Sequence, residues 1–144
     1  MMPLTLAVRR RVGASPDRVF AAWTDPAQIV RWWGPPGVTC PAAEVDLRVG
    51  GRYRLANRLP DGNVLWITGV YEAIDRPRRL VYSWAHEPVG DDTEWTRVSV
   101  DFAACDIGTE VVVVHERFLT EAARDVHADG WAGCLDRLVA SMTD

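Results

Sequence analysis

The chain has 144 residues, 48% apolar and 25% charged, with a formal net charge of -4. That length suits one domain (residues 1–144) whose core buries about two-thirds of the unfolded surface, and the composition is neither disordered nor membrane-spanning. The acidic balance leaves no electrostatic footprint for nucleic acid, and because all sixteen basic residues are arginine, Schiff-base catalysis, a lysine general base and a Walker-type phosphate loop are excluded.

The first expected element is a strand over Leu4 to Val12, which alternates Leu4, Leu6, Val8 and Val12 on one face. Two short helices follow, Pro16 to Trp23 and Pro26 to Trp33. Ser15-Pro16 and Asp25-Pro26 each place a good N-cap before a proline at the first helical position. The segment is rich in indole, with Trp23, Trp32 and Trp33 close together, and three such side chains should cover a core or the mouth of a cavity. Pro35, Pro36 and Pro41 then stiffen a loop from Gly34.

Six further strands are expected over Glu44–Val49, Arg52–Leu59, Val64–Ile74, Leu80–His86, Thr93–Ala104 and Thr109–Phe118. Gly50-Gly51, Pro60-Asp61-Gly62-Asn63, Asp75-Arg76-Pro77 and Asp106-Ile107-Gly108 supply turns between them. Hairpin spacing of this kind predicts one bent antiparallel sheet. Thr120 caps a last helix, Glu121 to Met142, whose apolar stripe is Trp131, Leu135, Leu138 and Met142. Gly130 interrupts it, which implies a close approach or a kink. The fold class is therefore α+β, with a curved sheet of about seven strands wrapped around a long C-terminal helix, an arrangement that leaves room for a ligand between the layers.

Cys40, Cys105 and Cys134 are odd in number and widely spaced, so neither a disulfide framework nor a zinc site is expected. No long apolar run follows the N-terminus, and Arg9-Arg10-Arg11 interrupts it early. A cytoplasmic protein with no signal peptide and no stable membrane association is the expectation.

Several segments together resemble the START-like or SRPBCC superfamily, the helix-grip fold shared with birch-pollen allergens and polyketide cyclases. They are Val19 to Pro26, Trp32-Trp33-Gly34-Pro35, Asp46 to Gly51, Pro60-Asp61-Gly62, Leu80 to Trp84, His115 and Gly130-Trp131. Within that superfamily the chain is similar to the C-terminal domain of the activator of heat-shock-protein-90 ATPase. The resemblance implies a helix-grip fold of bacterial type. It implies no single activity, because the superfamily spans lipid carriers, antibiotic-sequestering proteins, cyclases and co-chaperones.

Alternation chooses the residues expected to face the helix: Tyr53, Leu55 and Asn57; Val64, Trp66, Thr68 and Val70; Leu80, Tyr82 and Trp84; Val98, Val100 and Phe102; Val111, Val113 and His115. Tyr53, Trp66, Tyr82, Trp84 and Trp131 then supply apolar wall for a ligand, while Asn57 and His115 orient it. Trp32, Trp33, Gly34 and Pro35 border the entrance. The leading expectation is binding of a small apolar or aromatic molecule, without cofactor or metal, since no His-Glu-x-x-His or similar ligand spacing exists.

An alternative is a cyclase- or hydrolase-like enzyme with His115 as general base, set against a buried histidine satisfied within the core. A third is co-chaperone-like stimulation of a heat-shock ATPase, lowered because the chain begins directly with the first strand. His86 is expected in solvent, His127 either in solvent or at the pocket, and a homodimer through exposed strand surface is left open. Asp46 and Arg48 are expected to stabilise the Gly50-Gly51 turn, and Arg10 to meet a structural acid.

Overall fold

In the computed structural model, which describes residues 4–142, Ser15 Oγ accepts from Arg18 N at 3.4 Å and caps helix α1 (Pro16–Thr24). Asp25 Oδ1 accepts from Ala27 N at 3.0 Å and caps α2 (Pro26–Trp32). The two helices follow strand β1 (Leu4–Val12) and precede β2 (Ala43–Val45), β3 (Arg52–Arg58), β4 (Val64–Asp75), β5 (Arg79–His86), β6 (Thr96–Cys105) and β7 (Gly108–Phe118). Thr120 then caps α3 (Glu121–Ser141), its Oγ1 accepting from Ala123 N at 3.1 Å.

All seven strands form one antiparallel sheet in the order β1-β7-β6-β5-β4-β3-β2. Every connection within β2 to β7 is therefore a hairpin, as the turn residues predict. The core lies between the concave face of this sheet and the three helices. The α3 stripe is as expected: Trp131, Leu135, Leu138 and Met142 are all buried.

Two elements differ from the sequence expectation. The second strand stops at Val45, because Asp46 to Gly51 folds into a turn in which Arg48 N and Gly51 N bond Asp46 O and Arg48 O. A Cβ at Gly51 would overlap the Asp46 carbonyl, so only glycine closes this turn. The Arg48–Asp46 ion pair at 2.9 Å confirms the turn-stabilising expectation. The sixth strand starts at Thr96 rather than Thr93, because Gly90 to Thr93 closes its own turn, with Gly90 N donating to Thr93 Oγ1 at 2.6 Å.

The third difference concerns which face β4 presents. Tyr53, Leu55 and Asn57 of β3 stand opposite Gly69, Ile67 and Leu65, and directly paired residues share a face. Leu65 and Ile67 thus point toward the helix and Trp66 points away, where the Arg54 guanidinium covers its ring at 4.0 Å. Val64 to Ile67 is apolar throughout, so alternation there has no phase. Gly69 hides it further, because its missing side chain is what makes room for the Tyr53 ring and the Ser83 carbonyl.

Candidate functional site

Helix α3 divides the space beneath it in two. Its C-terminal half buries Cys134, Leu135 and Leu138, whereas none of the residues from Glu121 to Gly130 is fully buried. The layers consequently separate under the N-terminal half. An apolar chamber of about 330 Å3 opens there, walled by Trp33, Ile67, Trp84, Trp131 and Cys134 and edged by the exposed Leu65 and Val126. Its volume is that of a small-ligand site. A Cβ at Gly130, which also lines the chamber, would meet nothing within 4 Å. The glycine therefore leaves space rather than permitting contact; the close approach belongs to Gly133, where a Cβ would overlap Pro36.

A second, more polar hollow of about 560 Å3 adjoins the first. It is edged by the β5–β6 loop with Asp91, Asp92 and Glu94, and by Leu119 just before α3. Trp84, His86 and His127 line both spaces and form the ridge between them. The loop is held down by Arg54, which donates to both carboxylate oxygens of Glu87 at 2.6 and 2.7 Å, a paired geometry that keeps the Glu87 carboxyl below its usual range.

The chamber floor is rigid because its indoles are tied down. Trp33 Nε1 donates to Asn57 Oδ1 at 2.9 Å, and Trp131 Nε1 donates to His115 Nδ1 at 3.1 Å. Arg137, one turn after Gly133 on α3, donates from Nη1 to Gly34 O at 2.9 Å and Val38 O at 2.6 Å. That anchors the proline-rich loop whose Pro35 and Val38 form one lip of the chamber. Trp84 is the exception. It is 6% exposed, and its Nε1 has no hydrogen-bond partner.

Residues 13–143 match the family described as Activator of Hsp90 ATPase homolog 1-like protein. The chain belongs to this family. In three dimensions it is similar to a Chromobacterium violaceum protein at 25% identity and a TM-score of 0.84, over 99% of this chain and 100% of that one. It is also similar to the AHSA1 protein of Silicibacter pomeroyi (23% identity, TM-score 0.82, 95% and 96% covered) and to a Mycobacterium smegmatis protein (24%, 0.82, 97% and 91%). These likenesses establish the fold alone. No curated protein matches the chain.

Within this family fold the expected site residues separate into four groups. Trp84, Trp131 and Asn57 line the chamber, as do Trp33 and Pro35 of the expected entrance. Tyr53 and Tyr82 do not: they close around a different void of only about 20 Å3, together with Trp23 and Tyr71. Burial drives both phenols well above their ordinary range, so they remain neutral. Trp66 lies on the opposite face of the sheet, for the reason given by the β3–β4 register. Trp32 is core, its Nε1 donating to Ala22 O at 2.9 Å, and Gly34 is spent on the loop turn, with φ 114° and its N–H on Cys134 Sγ.

His115 is a correction of a different kind. It is fully buried behind Trp84 and Trp131 and lines neither space. The indole N–H on Nδ1 requires that nitrogen to be an acceptor, so the proton sits on Nε2 and goes to Thr96 Oγ1 at 2.7 Å; the hydroxyl then donates to Trp84 O at 3.2 Å. Burial first, and then His127 and His86, push its pKa down to about 3. With both nitrogens bonded and no access, His115 is a structural group, not a ligand-orienting group or a general base.

Of the other two histidines, His86 is exposed, as expected, and His127 is half-buried. His86, His115 and His127 gather around Trp84, with ring centroids 5.7 Å apart for His86–His127 and 5.2 Å for His115–His127. His127 Nδ1 donates to Ala123 O at 2.8 Å. Partial burial and then His127 lower the pKa of His86. No group of three metal-binding side chains exists among the described residues, and no helix there is long and apolar enough to cross a membrane. Arg10 meets Asp136 of α3 at 2.8 Å, a structural pair as expected.

Proposed function

We propose that the chain binds a small apolar, ring-bearing molecule in the chamber beneath the N-terminal half of α3. The observation that carries this reading is the chamber itself, apolar, of about 330 Å3, with Trp33, Trp84 and Trp131 as walls and an opening past Leu65 and Val126. At roughly 25 cal/mol per Å2 of apolar surface removed from water, a ring of modest size reaches micromolar affinity without ion pairing. Asn57 serves by holding Trp33, and Trp131 by packing against Trp33 and Trp84 at 5.4 and 5.5 Å. Turnover through His115 forms no part of this reading.

Native mass spectrometry followed by denaturing extraction tests it directly, supported by tryptophan fluorescence against a panel of neutral aromatics. A mass released on unfolding, or saturable quenching that Gly130→Leu abolishes, is the expected result. A clean apo mass with no response across the panel overturns the proposal.

A further inference from the structure

The polar side chains around the chamber are occupied on one side and not on the other. On the floor, Trp33 Nε1 is taken by Asn57 Oδ1, and Asn57 directs its Nδ2 protons to Leu55 O and Leu65 O at 3.1 and 3.4 Å. Trp131 Nε1 is taken by His115 Nδ1. Cys134 Sγ accepts from Gly34 N at 3.4 Å, and burial pushes its thiol up to about 12, so it stays neutral. Trp84 Nε1 has no partner, but the atom is itself buried and is offered to neither space. No acid and no arginine lines the chamber.

The exceptions stand together. His86 and His127 line the chamber and also the larger, more polar hollow beside it. Their rings lie 5.7 Å apart, one at the end of β5 and one in the N-terminal half of α3. A hydroxyl both donates and accepts, so it suits an imidazole in either protonation state. A polar group pressed against the floor finds no such partner, and burial there forfeits its bonds to water.

We infer that the ligand class is a neutral hydrocarbon ring with a single hydroxyl terminus, an alcohol or phenol, bound with that terminus outward. The ring fills the chamber against Trp33, Trp131 and Cys134 and takes no hydrogen bond from them. The hydroxyl meets His86 or His127 at the ridge, facing the hollow. Rings with polar groups at both ends are selected against, because one of the two must lie on the occupied floor. This orientation rests on the proposed chamber reading and deepens it.

Four naphthalenes, compared as two isosteric pairs by equilibrium dialysis, test it. The first pair is 2-ethylnaphthalene and 2-naphthalenemethanol; the second is 6-ethyl-2-naphthalenemethanol and 2,6-naphthalenedimethanol. Within the first pair Kd is expected to change by less than about threefold, and within the second to weaken about tenfold, the worth of one unmade buried hydrogen bond. In H86L/H127L, whose substitutions fall at an exposed and a half-buried position, the first replacement becomes as costly as the second. Thermal melting checks that the variant is folded, and the wild-type pairs decide the orientation without it. Equal penalties in the two wild-type pairs, or a first replacement that stays cheap in the folded double variant, overturn the outward orientation while leaving the chamber reading standing. If 2-ethylnaphthalene itself does not bind, the chamber reading falls and takes this inference with it.

Discussion

Two hollows against the inner face of the sheet are lined by similar aromatic side chains and finish in opposite states. At the closed end Trp23, Tyr53 and Tyr82 converge until about 20 Å3 remains, and each polar tip is used. Trp23 Nε1 donates to Tyr82 Oη at 3.2 Å, and Tyr53 Oη to Ser83 O at 2.6 Å. At the open end Trp84 keeps a buried N–H without a partner, and about 330 Å3 of apolar space remains. Aromatic content does not separate the two. What separates them is the cover: Trp23 and Ile29 of the first two helices seal the small void, whereas the chamber lies under the N-terminal half of α3, with Gly130 and the outward-facing Val126, and only the C-terminal half of that helix buries Leu135 and Leu138.

If that contrast is right, the two halves of α3 differ most in what truncation costs. Leu135→Ala removes a fully buried side chain and is expected to lose about 2–5 kcal/mol. Val126→Ala, at a position 70% exposed, stays within about 0.5 kcal/mol. Urea unfolding measures both. Comparable losses would show that the roof of the chamber is packed after all, and the comparison would break.

A smaller effect, graded by pH, marks the wall where the two ends meet. His115 titrates near 6.5 when unfolded and near 3 when folded, so below pH 6.5 the unfolded chain takes up the proton that the native state refuses. Its contribution is present above pH 6.5 and drains away as pH falls toward 3, at about 1.4 kcal/mol per pH unit. His115→Gln has no such titration, so the stability gap between wild type and variant should shrink at that rate between pH 6.5 and 4. A gap independent of pH would mean that His115 is not held neutral by its bonds to Trp131 and Thr96.

The fold was legible in the sequence, and the division of its aromatics between the two hollows only partly so, since Tyr53 and Tyr82 belong to the closed one. Capping at Ser15 and Asp25, the turn residues and the stripe Trp131-Leu135-Leu138 are local signals, and local signals survive folding. The phase of β4 was not legible, because Val64 to Ile67 is uniformly apolar and the inward position at 69 has no side chain. The histidine cluster is assembled from β5, β7 and α3, so no sequence spacing announces it. A partial signal existed. His86 continues the inward series Leu80, Tyr82 and Trp84, and His127 lies one turn before Trp131 on the same helical face. Strand-end and acidic neighbours suggest solvent, which holds for His86 and fails for the half-buried His127. The free N–H of Trp84 was beyond reach, since an absent hydrogen bond is a property of the packed molecule and not of any motif.

The sharpest form of the comparison needs only a methyl group, placed twice on one helix three residues apart. Both glycines cost α3 up to about 1 kcal/mol relative to alanine in intrinsic propensity. At Gly130 a Cβ enters the chamber and meets nothing within 4 Å, so Gly130→Ala should stabilise the fold by up to about 1 kcal/mol. At Gly133 the same Cβ overlaps Pro36 on the loop that Arg137 holds in place. A proline ring in an anchored loop has little freedom to yield, and overpacking of about 1–3 kcal/mol outweighs the helical gain. Opposite signs in thermal or urea unfolding would show that α3 presses on the loop at one turn and spans open space at the one before it. A stabilising Gly133→Ala would mean that the loop moves aside, and that the lip formed by Pro35 and Val38 is a gate rather than a fixed wall.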